Sequence, residues 1–354
     1  MTSTELNDVI TQYGFVSETA KTIPLGNGHI NTTLLVSGVV SDLNIKKNET
    51  IVLQKINHDV FTQPQQIIKN ADLISQHLAK QEKYPLQNIA QLKTINGKSS
   101  VVHGKNTWRA LRFIEHSCTI EQLETVEQAK QVATAFAQFT DSLANFNAKS
   151  LNIVIPNFHN LSVRLAQLDN AYKNCKDNKR IEESRSWINF CQQQHAFISS
   201  ITEISKRLPL RVMHNDTKIG NLLFSEKTQQ PIAVIDLDTC MPGFLMNDFG
   251  DMVRTTCSTL AEDATDIENM SIKEDIYQTL LASYSKALNK SISAIEIESL
   301  PLGAKLFPFL MAIRFLTDYL NSDIYFQTKY AQHNFDRAVN QFTLFKLMSE
   351  IVRK

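Results

Sequence analysis

The side chains able to do chemistry are concentrated in one stretch, His214-Asn215-Asp216-Thr217-Lys218-Ile219-Gly220-Asn221, which reads H-x-D-x-x-x-x-N. Fifteen residues after Asn221 stands Asp236, within Val234-Ile235-Asp236-Leu237-Asp238. Phosphoryl transfer asks for little covalent help from a protein. It needs a carboxylate to orient and deprotonate the attacking hydroxyl, and oxygen ligands for the metal that bridges the phosphates. Asp216 suits the first role. Asn221 and Asp236 suit the second, because Mg2+ takes hard carbonyl and carboxylate oxygens. A lone H-x-D is better explained by carboxylates capping turns. The order and spacing of the full set argue for a site instead, as do its apolar flanks at Leu210–Met213, Leu222–Phe224 and Ile232–Ile235. Lys218 either offsets charge on the transferring group or is a solvated loop lysine.

These residues need a scaffold. Residues 1 to about 20 read as a helix and turn, and β-like texture begins near Ile23. Strands are expected at Ile30–Val40, Thr50–Ile56, Ile89–Ile95, Ser99–His103 and Trp108–Ile114. Asn96-Gly97 signals a hairpin between the third and fourth. Ile67, Ile68, Ala71, Ile74 and Leu78 recur at helical spacing over Pro64–Leu78. Beyond Glu115 the texture turns helical: Leu123–Phe146, then Leu161–Leu208. A β island spans Val212–Asp238, with a hairpin bringing Asp236 toward the metal, and helices run from about Asp248 onward. The expected organisation is an N-terminal β-rich lobe (1–112), a hinge (113–118) and a mainly helical lobe (119–354).

Composition excludes several classes. Lys plus Arg and Asp plus Glu are 36 each, so no net charge draws the chain to nucleic acid or membranes. Cys118, Cys175, Cys191, Cys240 and Cys257 show no CxxC or zinc-finger spacing, and an odd, scattered set fits reduced thiols in a cytoplasm. The N-terminus lacks a signal-peptide pattern. The apolar stretch Leu300–Leu320 is broken by Lys305, Arg314 and Asp318, so a soluble protein is expected. Gly97-Lys98-Ser99 mimics the end of a P-loop, but Leu92 stands where its first glycine belongs.

The H-x-D and I-D motifs together resemble the aminoglycoside phosphotransferase and choline kinase group, which has a protein-kinase-like fold. Asp236–Gly243, Asp248-Phe249-Gly250-Asp251 and His214–Lys218 look more particularly like the N-acetylhexosamine 1-kinase branch. Gly26–Asn31, Leu53–Asn57 and Arg314–Leu320 extend the likeness over most of the chain. The resemblance implies an α+β, two-lobed protein-kinase-like fold: a small antiparallel β lobe, a large helical lobe, and ATP between them. It implies Asp216 as base, and Asn221 and Asp236 on Mg2+. The product would be the 1-phosphate of GlcNAc or GalNAc, made by a monomer or weak homodimer without nucleic-acid or membrane partners. A kinase for choline, homoserine or an aminoglycoside is the alternative, and a nucleotide-binding pseudokinase scaffold the third.

The remaining site residues follow from that likeness. Gly26-x-Gly28 is either an ordinary turn or a phosphate-approaching loop. Asn31 stands in place of a third glycine. His29 and Asn31 are assigned to the substrate side, although His29 serves equally as a phosphate or surface residue. Either Gln54 or Lys55, on opposite strand faces, meets the phosphates; Lys55 is favoured, and no glutamate on Pro64–Leu78 pairs with it, leaving Asp72 or Asn70. Phe113 and Ile114 would bind adenine through their backbone. Arg314 and Asp318, four apart on one helix face, either form a surface ion pair or point into the cleft and hold sugar hydroxyls and the acetamido group. Tyr319 either stacks on the sugar or lies in the core.

Overall fold

The computed structural model describes residues 2–26, 30–42, 45–288 and 291–352. The chain divides into two compact units: Met1–Thr119 with Asn145–Ile155 and Leu222–Met241, and Ile120–Ala144 with Pro156–Asn221 and Pro242–Lys354. The first unit thus recruits two later segments that the sequence placed with the helical part.

In the first unit, α1 (Ser3–Gln12) is capped by Thr2, whose Oγ1 accepts the Glu5 N–H at 3.2 Å. An antiparallel sheet runs through β1 (Lys21–Pro24), β2 (Thr32–Asp42), β3 (Ile45–Lys55) and β6 (Asn106–Arg112). Alternation puts Leu34, Val36, Ile51, Leu53, Trp108 and Ala110 on one buried face, against Val9 and Ile10 of α1. Glu5 is buried there and accepts Trp108 Nε1 at 3.0 Å.

The turn at Asn96-Gly97 forms, with Gly97 at φ 74. The strands beside it, β4 (Gln91–Leu92) and β5 (Val101–His103), are shorter than expected, and both pair with β6. Helix α2 spans Pro64–Leu78 as expected, starting on proline, and all five of its predicted apolar positions are buried. After β7 (Ser117–Cys118), β9 (Leu222–Ser225) pairs with both β7 and β10 (Pro231–Val234). The hairpin expected ahead of Asp236 is therefore present.

The second unit comprises α3 (Val126–Ser142), α4 (Leu161–Asn174), α5 (Asn178–Gln193), α6 (His195–Ser205), α7 (Leu245–Thr256), α8 (Glu274–Leu288), α9 (Ala294–Leu320) and α10 (His333–Ile351). It also holds the short strand β8 (Arg211–Met213), and β11 (Met241–Gly243) lies at its border. Thr125 and Gln128 close a capping box at the start of α3. Helix α9 is long and apolar enough to cross a bilayer, yet two-thirds of its most apolar window is buried within the protein. Its Phe309, Phe315 and Leu316 form a core with Phe342 and Phe345 of α10. Gly250 of α7 meets α9 so closely that a Cβ there would fall 2.2 Å from the Gly303 carbonyl oxygen.

Candidate active site

In the second unit, the H-x-D loop leaves β8 and is gripped by Asp248 on α7. The Asp248 carboxylate accepts the backbone N–H groups of His214 at 2.9 Å and Asn215 at 2.8 Å. Asn215 takes a left-handed backbone, φ 63, which asparagine tolerates better than most residues. Gly243 lets the loop approach, because a Cβ there would lie 3.1 Å from Asn215 Oδ1. His159 Nε2 donates to the Asn215 carbonyl at 3.2 Å. Burial pushes the His159 ring down to about 3, so it is neutral and its single proton lies on that bond. The His214 imidazole is fully buried, edge-on to Phe136 and Phe139. It positions the loop by packing.

Asp216 follows this clamp. Burial works to raise its carboxyl, but Lys218 and a hydrogen bond from Asn221 outweigh it and hold it below the ordinary value. Lys218 Nζ stands 3.4 Å from Asp216 Oδ2, and Asn221 Nδ2 donates to the same oxygen at 2.9 Å. Neighbouring Asp251 goes the other way: burial raises it although Arg254 opposes. The two carboxyls are thus shifted in opposite directions, Asp216 down and Asp251 up. Asn221 Nδ2 also donates to the Asp216 backbone carbonyl at 2.8 Å. Amide and carboxylate oxygens of this kind are the hard donors that Mg2+ takes. Among the described residues no three His, Cys, Asp or Glu side chains form a preformed metal cage.

In the first unit, Asp236 also has a left-handed backbone, φ 60 and ψ 56, and opens the turn Leu237–Thr239. Asp238 is 2% exposed, with Oδ1 2.5 Å from Arg109 Nη2 and Oδ2 accepting Asn31 Nδ2 at 2.7 Å. Asn70 of α2 donates to the Cys240 carbonyl at 3.1 Å. Arg109 Nη2 also donates to Gln54 Oε1 at 2.7 Å.

These contacts correct several expectations. Gln54 shares the Arg109 face of the sheet, while Lys55 lies on the opposite face, where its charge acts on Glu5 beneath α1. Lys55 is therefore not the cation beside Gln54; Arg109 is. Asp72 instead binds Lys93 at 2.8 Å and Gln91 at 2.9 Å. Asn31, assigned to substrate, has its amide nitrogen on Asp238 and its carbonyl on the Asn57 N–H at 3.0 Å. Gly26 is a turn glycine at φ 70; Gly28 and His29 lie outside the described residues. Ile114 is buried, and its carbonyl accepts Ser117 Oγ at 2.7 Å; Phe113 beside it is half-buried.

On α9 the expected Arg314–Asp318 partnership is replaced by separate duties. Asp318, 4% exposed, accepts the N–H groups of Tyr325 at 2.8 Å and Phe326 at 2.9 Å, and Asn334 Nδ2 at 2.9 Å. It folds the loop after α9, with both oxygens engaged there. Tyr319 is 1% exposed, its hydroxyl on Glu183 and Gln332 and its ring under Arg180 at 4.3 Å. It is a core residue, which decides between its two readings. The Arg314 guanidinium lies among three rings, 5.3 Å from Phe158, 5.3 Å from Phe326 and 5.8 Å from Tyr325. Burial lowers its pKa, and Arg254 adds to the effect. Sequence reasoning missed His159, Arg109 and the grip of Asp248. Only Asp248 carried a signal, as the first acid of Asp248-Phe249-Gly250-Asp251.

With an antiparallel sheet unit and a helical unit the chain has a kinase-like α+β fold, and the Asp216 carboxyl on its H-x-D loop is held below its ordinary value. The chain belongs to the phosphotransferase enzyme family, whose profile matches residues 23–270. Among solved structures it is similar to an aminoglycoside phosphotransferase from Alicyclobacillus acidocaldarius, at 13% identity over 98% of this chain and 95% of that one, TM-score 0.61. It is also similar to a Plasmodium vivax ethanolamine kinase, at 14% identity over 94% and 83%, TM-score 0.62. A Cryptosporidium parvum choline kinase matches at 15% identity over 99% and 96%, TM-score 0.55. These likenesses establish the fold.

Proposed function

We propose that this chain is an ATP-dependent N-acetylhexosamine 1-kinase. The observation that carries the reading is the setting of Arg314. A kinase for an amino alcohol, such as the choline and ethanolamine kinases among the structural neighbours, needs aromatic faces or carboxylates to receive an ammonium group. In this chain the aromatic surround of Phe158, Tyr325 and Phe326 holds the protein's own guanidinium. Arg314 and Arg164 both act on His159, the residue that pins Asn215 beside the base. Such a setting repels a cation and favours a neutral, hydroxyl-rich acceptor carrying an acyl oxygen.

In this mechanism Asp216 takes the proton of the anomeric hydroxyl as its oxygen bonds to the γ-phosphorus. The bond from that phosphorus to the β–γ bridging oxygen breaks, and ADP leaves with the electron pair. Lys218 offsets charge on the transferring group. Asn221 and Asp236 would hold Mg2+, which when bound neutralises the phosphates.

ADP release measured with GlcNAc, GalNAc, choline, ethanolamine and an aminoglycoside tests the reading, with product identity from phosphorus NMR. Turnover on the N-acetylhexosamines to an anomeric phosphate is expected. It should fall by about 100-fold or more in Asp216→Asn. Turnover confined to the amines would overturn the sugar assignment.

A further inference from the structure

Resting on the kinase reading, we infer that Arg109 and Asn31 are positioning residues for the metal-binding turn at Asp236, acting through Asp238. Asp236 sits in a left-handed backbone conformation at the start of a one-turn helix. Nothing in such a short turn makes that geometry rigid on its own. Two residues on, the Asp238 carboxylate is engaged at both oxygens, one 2.5 Å from Arg109 Nη2 of β6 and the other 2.7 Å from Asn31 Nδ2 at the entry to β2. Arg109 is fixed in turn by Gln54 of β3, through Nε at 3.0 Å and Nη2 at 2.7 Å. Asn31 is fixed by the Asn57 N–H at 3.0 Å, just after β3. Asn70 of α2 holds the far end of the turn through the Cys240 carbonyl at 3.1 Å.

Three adjacent strands and a helix therefore converge on a five-residue turn. Both members of the ion pair are 2% exposed. A buried ion pair is a poor source of stability compared with apolar packing, so placing one here is better explained by the geometry it imposes. No glutamate stands on α2 to pair with Lys55, and Arg109–Asp238 supplies a buried pair of opposite charges in this unit. Its charge is directed at the turn that carries the metal ligand. Partners that orient a ligating carboxylate typically change metal affinity by about 10- to 100-fold when removed.

The test uses the full chain and a fluorescent, non-hydrolysable ATP analogue, whose binding is titrated at increasing Mg2+. Asn31→Ala and Arg109→Lys should each raise the Mg2+ concentration for half-maximal enhancement of binding by about tenfold. Affinity for the analogue without Mg2+ should stay close to that of wild type, a separation that general loosening of the fold does not produce. Circular dichroism confirms folding. If Arg109→Lys fails to fold, Asn31→Ala decides alone, because it removes two hydrogen bonds and no charge. An unchanged Mg2+ midpoint in a folded Asn31→Ala protein overturns the positioning role. Wild type that binds the analogue with no response to Mg2+ overturns the kinase reading beneath it.

Discussion

Asp248 carries much of the H-x-D loop's geometry on one side chain, since its two oxygens fix the N–H groups of both residues preceding Asp216. Burial raises its carboxyl from the ordinary 3.8 to about 6, against the pull of those hydrogen bonds. Between the two values the folded chain keeps a proton that the unfolded chain has released. The associated stability is complete below pH 3.8 and is lost as pH rises through about 6. In Asp248→Asn this titration disappears. The stability of wild type relative to that variant should fall by roughly 3 kcal/mol from about pH 4 to about pH 7, measured by urea unfolding across that range. A difference flat in pH would show that the carboxyl is not shifted. Legibility at this scale followed distance along the chain. Asp216, Lys218 and Asn221 lie within one loop, so the contacts among them are local in the chain. Asp318 and Tyr319 stand on a helix whose pattern suits a cleft, but their partners lie on other segments, among them Glu183 and Asn334.

Helices α7 and α9 meet at backbone contact. Besides the close approach at Gly250, a Cβ at Gly303 would lie 2.0 Å from the Met246 carbonyl oxygen. Backbone atoms cannot rotate aside as a long side chain can. Gly303→Ala should therefore cost about 3 kcal/mol or more by overpacking, seen as a lower midpoint in thermal or urea unfolding. Because α7 carries Asp248, turnover should fall with it; a variant as stable as wild type would show that the helices can separate freely. Among the elements, α2 was readable to the residue because proline starts it and its apolar period is local. The Asn96-Gly97 turn was readable too, but the partners of its flanking strands were not. β6 presents an edge to both, and that competition is decided far from the turn.

Taken whole, the molecule interleaves its two units, with segments 145–155 and 222–241 returning to the first. A single cut near residue 112 was the natural reading of composition, since hydrophobic pattern reports what kind of element forms and not which core receives it. The H-x-D loop and the turn at Asp236 consequently belong to different units. Burial also sorts the five thiols: Cys118 and Cys175 are partly exposed, while Cys191, Cys240 and Cys257 are buried. Burial further pushes Cys191 and Cys257 up to about 12, which suppresses the reactive thiolate. Brief alkylation of native protein should label Cys118 and Cys175 alone by mass spectrometry, with all five reacting after denaturation. Rapid native labelling of Cys240 would contradict the packing around the turn.

The left-handed conformations at Asn215 and Asp236 restrict which replacements are informative. Each position is limited twice, once by its chemistry and once by the few residue types that accept such a backbone. Alanine at 236 would mix lost charge with torsional cost, whereas asparagine changes charge alone. Random variation at these two places should enrich asparagine, aspartate and glycine among well-folded survivors, even in a background where catalysis is no longer selected.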